Sequence, residues 1–501
     1  MAISNSLLSG SSFIRSDLLI QNQDRLADFN RQLATGERSD TYGGLGSSRT
    51  QSISLRQDIS QLEAFQSNIQ RLDIRVDITG LSLERLESLR IEARDAIDPN
   101  NFIDLGNGET FTQSTADALL TESFALLNSQ SDGRYIFSGN QVETPALEDL
   151  DIVLNGDGVR AGLRQVTDER LAADLGVSGL GRLDVTIAAD TVSITEDSAT
   201  DFGFDLSTVN SGLSNVTAAI TGAEPASLDV QFTGQPQLGE SLQVFLDLPD
   251  GSRTSVEVFV ANSPTSDGGF AIGATPQQTA QNFQAAISEQ LQFAASTELN
   301  AVSRIEAADN FFNTEGGQPP LRVDNLGSPE TSIGLVAGTP ADTVEYYLGQ
   351  NDADNPRAGI TTRVDENITV QYGLRANEDA LRAGITSLAA FAIADFTSGS
   401  DEQNQAVHSA FASRTSQDLS VQTEAPSIQS VIQEVVGVQV ISGNADLRHS
   451  AAINTLDSIR EDIEIADPTE VAVQLLSLQT QIEASFTASA RIGELSLINF
   501  I

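Results

Sequence analysis

Side chains that could carry out acid–base or metal chemistry are sparse in this sequence. The chain has no cysteine and only two histidines, His408 and His449, which lie far apart and form no two-histidine helical motif. The absence of cysteine excludes disulfides, thiolate nucleophiles and thiolate metal ligands. We therefore expect both histidines to be structural residues of the core or the surface, and neither metal ligands nor catalytic bases.

A glycine-rich segment at residues 155–158 invites comparison with phosphate-binding loops. It reads Asn-Gly-Asp-Gly and follows the apolar residues 152–154. The spacing of Gly156, Gly158 and Gly162 differs from that of a dinucleotide-binding fingerprint. The net negative charge of the chain also repels phosphate. The sequence instead predicts a hairpin turn at this point.

Carboxylates remain as candidates for metal binding and for catalysis. Asp149, Asp151 and Asp157 could contribute oxygen ligands to calcium, but no twelve-residue loop here ends in a suitably placed glutamate. A carboxylate-only glycosidase stays open as an enzymatic alternative, because residues 141–372 offer acids, Ser, Thr and Arg without Cys or His. We predict that the chain is not an enzyme and has no cofactor and no metal site.

The chain is strongly acidic, with 27 basic and 70 acidic residues and a net charge of −43. Such a charge argues against nucleic acid and against anionic membrane surfaces as partners. Residues 1–100 hold 11 Arg and 14 acids, a net charge of −3, whereas residues 141–370 hold 9 Arg and 34 acids, a net charge of −25. We expect the acidic middle to face water and the near-neutral ends to pack against copies of themselves.

Neither a membrane span nor a conventional secretory signal is predicted. No run of apolar residues is long enough to cross a bilayer, and Met1–Ile20 lacks a basic region followed by an apolar one. We expect no membrane insertion. If the protein is extracellular, it leaves the cell by a route that reads no such signal.

Apolar residues recur in helical register at both ends of the chain. A seven-residue repeat predicts one long helix with a coiled-coil seam from about residue 50 to 95, and a second stripe lies near the C-terminus. Because the apolar faces of such helices are too narrow to form a core, we predict that the two ends pair and that neighbouring copies complete the burial. The predicted assembly interface comprises Leu55, Ile59, Leu62, Ile69, Leu72, Val76, Leu83, Val471, Leu475, Leu478, Ile482 and Phe486.

Between the ends, the pattern changes to alternating apolar and polar residues. It predicts paired strands over 183–194 and 242–260, and one helix that has Thr275 as its N-cap and Pro276 as its first residue. Helical periodicity resumes near residue 376. The predicted fold class is mainly α with an α+β insert, in which long terminal helices form a coiled-coil or helical-bundle rod and the central outer domain is rich in β-strands.

Three short motifs occur in an order that resembles the bacterial flagellin family. Residues 32–36 read Gln-Leu-Ala-Thr-Gly, where flagellins have a Leu-Ser-Ser-Gly turn. Residues 133–139, Gly-Arg-Tyr-Ile-Phe-Ser-Gly, are followed by Thr144-Pro145 and look like flagellar hook-associated protein 3, the hook–filament junction protein, as does the C-terminus at 495–501. The size of the insert is instead similar to the outer regions of some alphaproteobacterial flagellins.

The resemblance implies a helical core that lines a central channel, with outer domains projecting from it. The implied segments are an N-terminal axial helix and turn (1–48), the N-terminal half of the helical core (49–140), the α+β surface insert (141–372), the C-terminal half of the core (373–465) and a C-terminal axial helix (466–501). Family members are exported unfolded through the flagellar type III apparatus, which would explain the missing signal.

The function that this resemblance implies is a structural subunit of the bacterial flagellum, which self-assembles into the filament for swimming motility. The junction protein between hook and filament is the alternative, and a secreted adhesin is a third interpretation. The implied partners are further copies of the chain, other flagellar axial proteins and an export chaperone. The implied location is extracellular.

Overall fold

The structure, a computed structural model, describes residues 4–197, 200–223, 225–420 and 427–498, with side chains described from 17 to 491. Long helices dominate both ends of the chain. The described helices are α1 (Ser4–Thr35), α2 (Arg49–Ala96), α3 (Phe111–Leu127), α4 (Leu150–Asn155), α5 (Leu163–Leu175), α6 (Pro276–Ala294), α7 (Asn300–Phe312), α8 (Asp379–Ile393), α9 (Asp401–Ser420), α10 (Ile428–Glu464) and α11 (Pro468–Ile498). A π-helical segment, Ala295–Leu299, connects α6 directly to α7.

The strands lie between α3 and α8. They are β1 (Gln130–Ser131), β2 (Arg134–Tyr135), β3 (Leu183–Ala188), β4 (Thr191–Glu196), β5 (Asp205–Ser211), β6 (Val216–Thr221), β7 (Ser227–Phe232), β8 (Ser241–Asp247), β9 (Arg253–Ala261), β10 (Gly269–Ala271), β11 (Leu321–Val323), β12 (Leu335–Ala337), β13 (Thr361–Asp365) and β14 (Ile368–Gln371). The fold therefore combines long helices with a separate strand-rich region.

The chain forms two compact units. The first unit consists of Met1–Leu72, Thr362–Thr369 and Val440–Ile501, and the second consists of Asp73–Thr361 and Val370–Gln439. The first unit contains 11 Arg and 18 acids, a net charge of −7, whereas the second contains 16 Arg and 52 acids, a net charge of −36. Most of the acidity of the chain thus belongs to the second unit.

The second unit contains a strand module, residues 183–297, built on two four-stranded sheets. The sheet orders are β3-β4-β7-β6 and β10-β9-β8-β5. Helix α6 contacts strands of both sheets, and its Phe283 packs edge to face against Phe232 and Phe270 in the core. The hairpins predicted over 183–194 and 242–260 are confirmed as β3–β4 and β8–β9. The predicted N-cap is also confirmed, because the Thr275 hydroxyl accepts a bond from the Gln278 N–H at 3.3 Å.

Outside this module the second unit combines helices with the short strands β1, β2, β11 and β12, and two sequence predictions are corrected in this unit. The region 141–372 contains α4, α5, α6 and α7, where one helix was expected. Residues 152–154 are helical, and Gly156 caps α4 at φ +78°, so the predicted hairpin turn at 155–158 is wrong. Helix α5 was missed because it buries Glu169, Arg170 and Asp174 beside its apolar residues, which obscures its hydrophobic period.

Two chain segments meet where the strand-rich region is entered and left. The Gly139 N–H donates to the Leu374 carbonyl at 3.0 Å, and the Ala376 N–H donates to the Phe137 carbonyl at 2.9 Å. Gly139 has φ +61°, which a glycine adopts without strain. Backbone hydrogen bonds thus hold residues 137–139 against residues 374–376, and we call this closure the neck of the strand-rich region.

Candidate assembly surface

The first and the last long helices of the chain pack against each other within the first unit. Helix α1 contacts α11, and the two are joined beyond their ends by short β-type pairing. The Arg38 N–H donates to the Glu464 carbonyl at 2.8 Å, and the Ala466 N–H donates to the Gly36 carbonyl at 2.9 Å. The pairing is antiparallel, with Glu37 opposite Ile465. The structure therefore brings the two ends of the chain together.

The paired segments 36–38 and 464–466 form a joint between the two helices, and local sequence explains why α1 ends and α11 begins there. Gly36 ends α1 with φ +74°, and its N–H donates to the Gln32 carbonyl at 2.8 Å. On the other side, Asp467 accepts the Thr469 N–H at 2.8 Å, and Pro468 is the first residue of α11. These hydrogen bonds hold the pKa of Asp467 below its usual range. Both ends of the joint are thus specified by residues within a few positions of it.

An ion pair anchors the end of α10 to the start of α2 in the first unit. The Arg56 guanidinium bonds Glu464 with Nε–Oε1 at 2.9 Å and Nη2–Oε2 at 2.6 Å, and the Ser52 hydroxyl donates to Oε1 at 2.5 Å. The bond from Arg56 lowers the pKa of Glu464, which is mostly buried. Further along, the Gln66 amide donates to Ser450 Oγ at 2.8 Å. These contacts fix an antiparallel register between α2 and α10.

The heptad positions predicted on α2 lie inside the chain. Six of them are buried and Leu62 is half-buried. The buried residues are Leu55, Ile59, Ile69, Leu72, Val76 and Leu83. Within the monomer this seam is core, so it offers a neighbouring copy little surface.

The positions predicted on α11 are less completely covered. Val471 and Leu478 are buried, Leu475 and Ile482 are half-buried, and Phe486 is 54% exposed. On α1, none of the described side chains from residue 17 to 35 is buried. The α1–α11 pair therefore has almost no core of its own, which is a marginal arrangement for two helices in water.

A second set of apolar side chains is exposed on the first unit. Leu476 and Val473 of α11 are each 62% exposed, and Leu447 of α10 is 70% exposed. The other members of this set are Leu18, Ile20, Leu33, Tyr42, Ile53, Val440, Ile441, Ile459, Ile465 and Phe486. We call these thirteen residues the exposed apolar set. Apart from Phe486, none of them was in the predicted assembly interface, although the adjacent pair Val440-Ile441 falls outside a single helical stripe and was a usable signal.

Both histidines are buried structural residues. His449 packs its ring on Phe65, and its Nε2 lies 2.8 Å from the Val364 carbonyl. His408, in the second unit, contacts three phenylalanine rings, and its Nε2 lies 2.9 Å from the Thr112 hydroxyl. Burial lowers the pKa of His408 to about 4. Each imidazole thus ties two chain segments together.

The acidic residues considered for calcium have other partners. Asp149 caps α4 through the Asp151 N–H, and Asp157 bonds the backbone and side chain of Arg160. Over the described part of the chain, no three His, Asp or Glu side chains are placed to hold a metal ion. No helix in the described ranges combines the length and the apolarity needed to cross a bilayer.

No family model matches the sequence, and no curated protein matches it.

Proposed function

We propose that this chain is a structural subunit of the bacterial flagellum that self-assembles through its terminal helices. The observation that carries the proposal is the α1–α11 pair, which joins the two ends of the chain and yet buries only two described side chains of α11 and none of α1. Such a pair gains its missing burial when neighbouring copies cover it. The flagellin-like motifs supply the flagellar part of the proposal.

The exposed apolar set is the part of the surface that a second copy would cover. Monomeric soluble proteins seldom expose contiguous apolar patches of large size, and helices that do so commonly pack in bundles. The low charge of the first unit supports the same partner, because copies with a net charge of −7 in this unit repel each other weakly. In the proposed assembly, a rod of terminal helices is completed between subunits.

The second unit would face water in this assembly. Its net charge of −36 favours contact with water and disfavours close packing against identical copies. The neck at residues 137–139 and 374–376 lets the strand-rich region begin and end at one place, as an outer domain requires. Extracellular location and type III export follow from the flagellar proposal.

The junction between hook and filament is the second candidate, and the motif at 133–139 favours it. Immunogold labelling of sheared flagella with an antibody against the second unit separates the two. Label along the filament identifies a filament subunit, and label at the hook end identifies a junction protein. Label that is absent from flagella, together with normal swimming of a strain that lacks the protein, would refute the flagellar proposal.

A further inference from the structure

An exposed hairpin lies between α2 and α3 in the second unit. The Leu105 N–H donates to the Glu109 carbonyl at 3.0 Å, and the Phe111 N–H donates to the Ile103 carbonyl at 2.9 Å. Its tip, residues 106–108, reads Gly-Asn-Gly and is exposed. The two glycines have φ +74° and +90°, and a Cβ added to either would meet no atom within 4 Å. The glycine positions on both sides of Asn107 are therefore open, although the Thr397 hydroxyl donates to the Gly108 carbonyl at 3.3 Å.

The side chain of Asn107 folds over the backbone that follows it. Its Oδ1 accepts the Glu109 N–H at 3.2 Å, so Cγ lies over the two following residues. The backbone N–H of Gly108, the residue between Asn107 and Glu109, has no acceptor among the described residues. A free backbone nitrogen is thus adjacent to the amide carbon of Asn107, with no side chain in between.

We infer that Asn107 is a site of spontaneous deamidation. The nitrogen of Gly108 loses its proton and attacks Cγ of Asn107, the Cγ–Nδ2 bond breaks, and Nδ2 leaves with that proton as ammonia. The product is a five-membered succinimide. Water then adds to one of its two carbonyl carbons and breaks a ring C–N bond, which leaves either aspartate or isoaspartate. One water is consumed in total, one ammonia is released, and no oxidant or catalyst is needed.

The chain contains a second Asn-Gly pair, which the structure protects. The Asn155 Nδ2 donates to Asp151 Oδ1 at 2.8 Å, which directs the side chain back along α4 and away from Gly156. The Gly156 N–H donates to the Ile152 carbonyl at 2.8 Å. A Cβ at Gly156 would lie 2.4 Å from the Arg160 carbonyl oxygen, so the backbone here is closely packed. Reaction at Asn155 requires local opening of the helix end.

Deamidation would alter the hairpin in two ways. Either product adds one negative charge to a hairpin that already carries Asp104 and Glu109. The isoaspartate product also lengthens the backbone by one carbon inside the turn that the Leu105–Glu109 bond closes. The exposed apolar residues of the hairpin, Ile103, Leu105 and Phe111, would then lose their fixed spacing.

Peptide mapping by mass spectrometry tests this assignment on the full chain. The folded protein and the same protein in denaturant are incubated at mildly alkaline pH until the denatured chain is converted at both Asn-Gly pairs. In the folded protein we expect Asn107 to convert at least about tenfold faster than Asn155, because only Asn155 needs local opening. In denaturant the two rates should agree within about twofold, since the local sequences then act alone.

Variants complete the test. Asn107→Gln should abolish conversion at the hairpin, because the longer side chain does not form the five-membered ring, and should leave Asn155 unchanged. Equal rates at the two pairs in the folded protein would overturn the assignment. So would an unchanged Asn107 after a period in which the denatured chain has converted.

Discussion

Arg56 and Glu464, which are 408 positions apart in the sequence, form a two-point ion pair at 2.9 and 2.6 Å. The pair connects the start of α2 with the last residue of α10, directly beside the joint at which α1 and α11 meet. Glu464 itself belongs to one strand of the joint. Its carbonyl accepts the Arg38 N–H of the other strand, and its side chain bonds Arg56 of α2. Glu464 therefore links the paired ends of the chain to α2.

Replacing Glu464 should loosen this joint. We expect Glu464→Gln to cost about 1 kcal/mol, because the Arg56 side chain is half exposed and solvent screens the pair. Hydrogen exchange at the Arg38 and Ala466 amides should then become about fivefold faster. Glu461→Gln, at an exposed acid three residues earlier, is the matched control and should leave these rates unchanged.

Lowering the pH should have the same effect as the Glu464 variant. The folded-state pKa of Glu464 is lowered by Arg56, so the stabilisation is present above the ordinary carboxyl pKa and is lost as the pH falls through the lowered value. The protection factors of the two amides, which relate the measured exchange rates to the intrinsic rates at the same pH, should fall over that acidic range in the wild-type protein. An identical pH profile for Glu464→Gln would show that this carboxylate is not responsible.

His408 should make the second unit sensitive to acid at a higher pH. Burial lowers its pKa to about 4, so the imidazole stays neutral in the folded chain while the unfolded chain is protonated below about pH 6.5. Stability should therefore fall as the pH drops from about 6.5 to 4, by up to about 3 kcal/mol. His408→Phe keeps an aromatic ring among Phe102, Phe391 and Phe396 and removes the proton site.

The difference between wild type and His408→Phe in urea unfolding, measured from pH 7 to pH 4, isolates this contribution from that of the carboxylates. The Thr112 hydroxyl keeps a partner in the variant, since Thr110 Oγ1 lies 3.0 Å away. A difference that is constant across the range would mean that the imidazole titrates equally in both states.

The strand module should be removable without loss of the helical core. The backbone enters it beside the point at which it leaves, because a Cβ at Gly181 would lie 2.9 Å from Leu299 Cδ2. We expect a chain lacking 183–297, with Arg182 joined to Glu298 by a short Gly-Ser linker, to stay helical and to assemble. Arg182 is retained because it bonds the Ala173 carbonyl at 2.7 Å, outside the module. Circular dichroism and sedimentation measure both outcomes, and an insoluble product would place the module in the core.

A wider excision from 145 to 368 should behave worse. It removes α7, which packs on α8, and with it Asp309, which pairs with Arg382 at 2.6 Å. It also removes Val364, whose carbonyl lies 2.8 Å from the buried His449 Nε2. We expect the variant that lacks 145–368 to lose helicity, whereas the variant that lacks 183–297 stays folded.

Assembly should require salt. Copies that carry −43 each repel at low ionic strength, and about 0.15 M salt shortens the screening length to about 8 Å. The segment 183–297 holds 1 Arg and 14 acids, so its removal takes away a charge of −13. We expect the excised chain to sediment as polymer at a lower salt concentration than the full chain. Equal salt thresholds would show that charge on the second unit does not oppose assembly.

The sequence predicted those parts of the fold that have a strong local signal. The heptad helix, the two hairpins and the Thr275-Pro276 helix start were each read from period or from capping residues, and the structure confirms them. Helix α5 was not found because three of its buried residues are charged, and Glu169 has its partner, Arg322, in another element, β11. Such pairs depend on tertiary structure, which the period of one segment does not reveal.

The candidate site was predicted in part. Apolar stripes identified which helices pack, but they do not tell an intramolecular seam from an intermolecular one, because both bury the same residue types. The structure places the α2 stripe in the core of the monomer and leaves Val473 and Leu476 exposed. Recognising these two residues required the position of the partner helix, which fixes the covered side of α11.

Sedimentation of two matched double variants tests the central claim, assembly through the exposed face of the terminal helices, most directly. Val473→Asp with Leu476→Asp adds two charges to two side chains that are each 62% exposed, so it should leave the monomer folded and abolish polymer. Gln474→Asp with Gln481→Asp adds the same charge at exposed polar positions on another side of α11 and should assemble as wild type does. Polymer of normal amount from the first variant, with unchanged circular dichroism, would contradict the account.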